Sequence, residues 1–142
     1  LRILAIDLGE KRIGLALSDC LGITAQGLTT IVVQNGSNIN QKIMDIIREK
    51  KVDKLVFGLP RNMNGTLGPQ AKKVQDFAQK LRRMSNLPID FEDERLSTVR
   101  AEQVLLEADT SRAKRKKVID CLSAVIILQS YLDRTGKEKQ KK

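Results

Sequence analysis

Apolar residues fall into three short runs at the start of the chain: 2–8 (RILAIDL), about 12–18 (RIGLALS) and about 26–34 (QGLTTIVVQ). They are rich in aliphatic and β-branched residues and separated by short turns, which predicts three successive strands in a meander. From Ser37 the period changes. Ile39, Ile43, Ile46 and Ile47 fall at helical spacing, with Ser37 available as a cap. A strand follows in DKLVFGLP (53–60), then a glycine-containing loop, RNMNGTLGP, whose Pro69 suits a first helical position. Val74, Phe77, Ala78 and Leu81 make the next helical stripe, and Pro88 opens a short strand, PIDFEDE. Ser97 can cap a helix striped by Ala101, Val104, Leu105 and Ala108. A basic connector, RAKRKK (112–117), leads into the most apolar helix, 118–132.

The predicted order is βββ, α, β, α, β, α, α. Three antiparallel strands followed by αβ units imply an α/β fold, a mixed five-stranded sheet with helices on both faces. The first strand belongs at the centre of such a sheet, buried on both sides. That makes Asp7 conspicuous, because an ionised carboxylate in a central strand costs several kcal/mol unless a cation or several hydrogen bonds meet it. One reading is structural: Asp7 accepts N–H groups from the glycine turn that follows it.

Two further places carry acids against the local pattern. FEDERLST (91–98) sets Glu92, Asp93 and Glu94 at the C-terminal end of a strand, where open α/β folds keep their sites. VIDCLSAVIILQ (118–129) sets Asp120 in the first turn of an otherwise apolar helix, where complementing the helix dipole would contribute at most about 1 kcal/mol. A structural reading suits any one of these acids but does not explain all three places together. Acids on a first strand, a later strand end and a last helix can converge at one edge of a compact domain. A carboxylate-only ligand set suits Mg²⁺ or Mn²⁺. Two such ions about 4 Å apart can drive phosphodiester hydrolysis.

Composition narrows the chemistry. The 142 residues contain no histidine, which excludes Ser-His-Asp triads, Cys-His dyads and His-ligated zinc. Cys20 and Cys121 lack CxxC spacing and fit reduced, partly buried thiols. The last helix is shorter than the roughly 20 residues a membrane span needs, and the first apolar run has no leader pattern, so a cytoplasmic location without membrane association is expected. Lys and Arg outnumber Asp and Glu 26 to 17, a net charge of +9 that points to a polyanion. From Arg95 onward 12 Lys and Arg stand against 6 acids, so most of the excess lies beside the later acids. The connector directly precedes Asp120 and is assigned to binding, whereas GKEKQKK (136–142) reads as a disordered basic tail beyond a single domain, 1–135. Aromatics number four, Phe57, Phe77, Phe91 and Tyr131, three of them at predicted core positions. Phosphate contact rather than base stacking is therefore expected.

Four ordered blocks, DLGEKRIGLALSD, GLPRNMNGTLGP, DERLST with AEQVLLEAD, and SRAKRKKVIDCLSAVIILQSYLD, resemble the YqgF (RuvX) family over nearly the whole chain. That family is described as Holliday junction resolvases and as nucleases that process the 5′ end of pre-16S ribosomal RNA. The resemblance implies a ribonuclease H-like fold and a Mg²⁺ or Mn²⁺ site formed by Asp7, an acid of DER and Asp120, taken here as Glu94 with Asp93 as the alternative. It implies structured nucleic acid, pre-rRNA or branched DNA, as partner, with monomer and dimer both open. Lys11, Arg12, Arg61, Asn62 and Arg95 in the blocks, and Arg112, Lys114, Arg115, Lys116 and Lys117 in the connector, are the expected contacts. Two alternatives stand beside this reading: a non-catalytic RNA- or DNA-binding module, and an actin-like phosphate-binding domain suggested by Asp7 and the glycines after it.

If the connector contacts phosphates, replacing Arg115, Lys116 and Lys117 by Ala should weaken binding to all sequences alike. The slope of log K against log salt on duplex should fall by up to about 0.9 per lost contact. Filter binding across a salt series checks this, and an unchanged slope would leave these charges facing solvent.

Overall fold

The computed structural model describes residues 2–9, 11–19, 21–34, 38–60, 68–93 and 121–140, and of 137–140 the backbone alone. The strands are β1 (Ile3–Leu8), β2 (Arg12–Ser18), β3 (Ala25–Val32), β4 (Lys54–Leu59) and β5 (Ile89–Asp93). The helices are α1 (Ile39–Lys50), α2 (Pro69–Ser85) and α3 (Leu122–Gln140). The sheet order is β3-β2-β1-β4-β5, with β1 antiparallel to β2 and parallel to β4, and β4 parallel to β5. This is the expected mixed sheet with the first strand at its centre. The helix predicted over 97–108 and the connector lie outside the described residues.

Alternation along the strands divides the core in two. Leu4, Ile6, Ile13, Leu15, Leu55 and Phe57 face α1 and α2, meeting Ile43, Ile47, Val74, Ala78 and Leu81. Ile3, Ala5, Ala16 and Val56 face α3, meeting Ala124, Val125, Ile127, Leu128, Tyr131 and Leu132. The second face is built of small side chains, which lets the apolar helix lie close to the sheet. Five consecutive residues, Ala124 to Leu128, are buried in it. No helix among the described residues is long and apolar enough to cross a membrane.

Local chemistry closes the elements. α1 is capped by Asn38, whose Oδ1 accepts the Gln41 N–H at 3.1 Å. The cap is thus one residue later than expected, and Ser37 lies outside the described residues. Pro69 opens α2 as expected, and Asn86 ends it in the left-handed conformation that asparagine tolerates. Cys121 is a buried free thiol 3.6 Å from the Thr30 hydroxyl, while Cys20 lies outside the described residues. α3 runs from Leu122 to Gln140.

A polar cluster ties α3 to the β4–β5 side of the sheet. Lys54 Nζ lies 2.7 Å from Asp90 Oδ2, the Tyr131 hydroxyl donates to the same carboxylate, and Lys54 and Arg134 both lie over the Tyr131 ring. The Lys54 ammonium, then the Tyr131 hydroxyl, hold Asp90 below its ordinary pKa. Burial, then the bond to Asp90, raises Tyr131. Burial alone would lower Lys54, but its contacts with Asp90 and Tyr131 outweigh it and leave the ammonium raised.

A depressed carboxyl contributes stability that is present above its unfolded pKa and lost as pH falls through the folded one. Asp90→Asn should therefore be less stable than the parent near neutral pH, and the gap should close below 3.8, the ordinary value. Urea melts across that range check this; a gap that ignores pH would remove the ionic contribution.

Candidate metal and nucleic-acid site

Because β1, β4 and β5 are parallel, their C-terminal ends, at Leu8, Leu59 and Asp93, lie along one edge of the sheet. The β1–β2 turn lies at this edge as well, with Lys11 and Arg12 exposed in it. The turn is pinned by Gly9, whose N–H donates to the Arg12 carbonyl at 3.0 Å. A Cβ on Gly9 would stand 2.5 Å from that oxygen, so the close approach requires glycine. This bears on Asp7: the Gly9 N–H is committed to Arg12, and no described residue hydrogen-bonds or ion-pairs with the Asp7 carboxylate.

Asp7 is half-buried and continues the phase of Ile3 and Ala5, so it lies on the face covered by α3. Gly14 pairs with it across the β1–β2 ladder. A Cβ built on Gly14 would stand 3.9 Å from Asp7 Cβ, 3.7 Å from Ala124 Cβ and 4.0 Å from Cys121 Cα. The missing side chain thus opens space where the central strand meets the start of the last helix. On the other flank, one step past the Ile6–Phe57 pair, stands Gly58, which in turn pairs with Glu92. Asp7 therefore has a glycine on either side at its level of the sheet.

β5 resolves its acids by face. Ile89 and Phe91 pack toward α1 and α2, with the Phe91 ring centroid 6.2 Å from that of Phe57. Asp93 follows their phase and lies on the face opposite Asp7. Asp90 and Glu92 turn toward α3. Glu92 is 3% exposed and receives Arg134 Nη2 at 3.1 Å and Nε at 3.4 Å on one oxygen. Sequence reading named Glu92 among three acids but gave it no role; its partner is 42 residues away. The available signal was its strand phase, shared with Asp90 and opposed to Ile89 and Phe91.

The structure thus describes Asp7, Asp93, Lys11 and Arg12 of the expected site. It brings Asp7, Lys11 and Arg12 to one edge and sets Asp93 on the far face. Glu94, Asp120, Arg61, Asn62, Arg95, Arg112, Lys114, Arg115, Lys116 and Lys117 lie outside the described residues. Among the described residues no three acids or thiols gather into a metal-sized group.

Comparison with known proteins places this arrangement. The family model described as RuvX, Holliday junction resolvase, matches residues 1–134. A Clostridioides difficile protein named "Putative pre-16S rRNA nuclease" is 55% identical over 132 residues, 93% of this chain and 94% of that one. A Moorella thermoacetica protein of the same name is 54% identical over 136 residues, covering 96% and 97%. Among solved structures, T. thermophilus RuvC in complex with Holliday junction substrate superposes with a TM-score of 0.65 at 11% identity, over 96% of each chain. The fowlpox virus Holliday junction resolvase gives 0.58 at 13% identity, over 95% of this chain and 99% of that one. At such identities the likeness speaks for the fold. The chain belongs to the RuvX (YqgF) family and has its ribonuclease H-like fold.

Proposed function

We propose that this protein is a divalent-cation-dependent nuclease that processes the 5′ end of pre-16S ribosomal RNA, with Asp7, Glu94 and Asp120 as the carboxylates of its metal site. The observation that carries the reading is the seat of Asp7, half-buried beneath α3 at the strand-end edge and flanked by glycines. Cys121 stands beside Gly14 there, and Asp120 is the residue before it in the sequence. Asp93 lies on the face of the sheet opposite Asp7, which counts against it as a ligand of the same site. That favours Glu94 over Asp93.

The donor chemistry fits a hard cation. Carboxylate oxygens are what Mg²⁺ and Mn²⁺ take, and Gly14 and Gly58 keep side chains out of the space on either side of Asp7. Bound there, the cations supply an activated water and neutralise charge developing on the leaving oxygen. The remaining work falls to the chain itself. Ala124 and the apolar face of α3 wall off one side of Asp7. Lys11 and Arg12 present positive charge at the same edge, where backbone phosphates would be held in register with the acids. Arg61, Asn62, Arg95 and the connector cations extend that contact. The choice of pre-16S rRNA over branched DNA follows the names carried by relatives more than half identical to this chain.

Purified protein should cut a pre-16S 5′ fragment with Mg²⁺ or Mn²⁺ and not with EDTA. Asp7→Asn should abolish cleavage while leaving RNA affinity within a few-fold, since phosphate contacts come from other residues. Gel assays on the rRNA fragment, a four-way junction and a plain duplex check this. Cleavage of the junction alone would move the substrate to branched DNA, and full activity in Asp7→Asn or in EDTA would overturn the metal reading.

A further inference from the structure

We infer that Arg134 and Glu92 are positioning residues for this site: their ion pair fixes the end of β5 against α3 at the level of Asp7. The inference rests on the metal site proposed above and names two side chains outside it.

β5 is the last strand in the sheet order and is held in the ladder by β4. What anchors its end from above is Glu92, a carboxylate 3% exposed that receives two donors of Arg134 on one oxygen. Arg134 is itself oriented, its guanidinium lying 5.4 Å from the centroid of the Tyr131 ring. Tyr131 is 3% exposed and anchored by Asp90, which Lys54 holds at 2.7 Å. The chain of contacts therefore runs from the start of β4 through β5 to α3.

The pair joins β5 to α3 on the face of the sheet where Asp7 lies. Glu92 lies level with Asp7 across Gly58, on the same face of the sheet. Arg134 belongs to the helix whose start lies beside Gly14, at the seat of Asp7. Two apolar side chains of similar volume would stabilise such an interface about as well, so what an ion pair adds is direction: a planar fork on one oxygen fixes both distance and angle. Residues that orient metal ligands typically alter metal affinity 10- to 100-fold when removed.

The test measures Mn²⁺ affinity of metal-free, full-length protein by calorimetry, beside thermal melts in EDTA, without reference to cleavage. Arg134→Met should weaken Mn²⁺ binding at least about tenfold, and Arg134→Lys, which keeps one charged donor, should recover most of it. Ile43→Ala opens a cavity on the opposite face, away from the Arg134–Glu92 contact, and serves as a control that lowers the melting temperature. Should Arg134→Met fail to fold, Glu92→Gln keeps the shape, removes the charge and should weaken Mn²⁺ in the same way. Affinity in the Arg134 or Glu92 variant no weaker than in the control overturns the inference, leaving a structural contact. If the parent binds Mn²⁺ and Asp7→Asn does not, that failure belongs to the positioning inference alone. A parent that binds no Mn²⁺ overturns the metal site and this inference with it.

Discussion

An apolar helix seated on a sheet face of small side chains is the contact on which the rest of this molecule depends. Ala5, Ala16 and Val56, with Gly14 among them, leave room for α3 to bury Ala124, Val125, Ile127 and Leu128 close to the strands. Larger residues on that face would lift the helix, and with it the one wall that half-buries Asp7. The central strand makes the demand sharper. β1 is covered on both sides, so its single carboxylate lies where desolvation is costly, and the glycines beside it leave space rather than partners.

Charge is distributed over this frame with two separate purposes. On the β4–β5 side, Asp90, Lys54, Tyr131, Arg134 and Glu92 answer one another, so their charges are compensated within the fold. At the strand-end edge, Asp7, Lys11 and Arg12 have no described ion pair between them. The first arrangement ties β4 and β5 to α3. The second suits a surface that meets cations and phosphates, and it agrees with membership of a family described as resolvases.

Topology brings distant parts of the chain to one edge of the sheet. In parallel strands all C-terminal ends share an edge, so the chain leaves β4 and β5 on the side where Asp7 lies and comes back at Cys121 beside Gly14. A fold of this kind gathers residues from the beginning, middle and end of the chain with no local sequence signal that they meet.

Hydrophobic periodicity by itself determined the order of the described strands and helices, the central position of β1 and the core role of the last helix, because burial on one or both faces is written in the spacing of apolar residues. It also marked Asp7, since an acid inside a buried strand breaks that spacing. Only the tertiary structure decided which side of β5 faces α3. Alternation gives Asp93 and Glu92 opposite phases but not which phase is inward, and that depends on a helix some 30 residues further along. For the same reason the burial of Glu92 was not legible among its acidic neighbours: a carboxylate can go inside only where a cation meets it, and the packing of α3 is what brings Arg134 there. Short-range choices stayed local but ambiguous. Asn38 caps α1 where Ser37 was expected; serine and asparagine are both good caps, so the sequence does not choose between such neighbours.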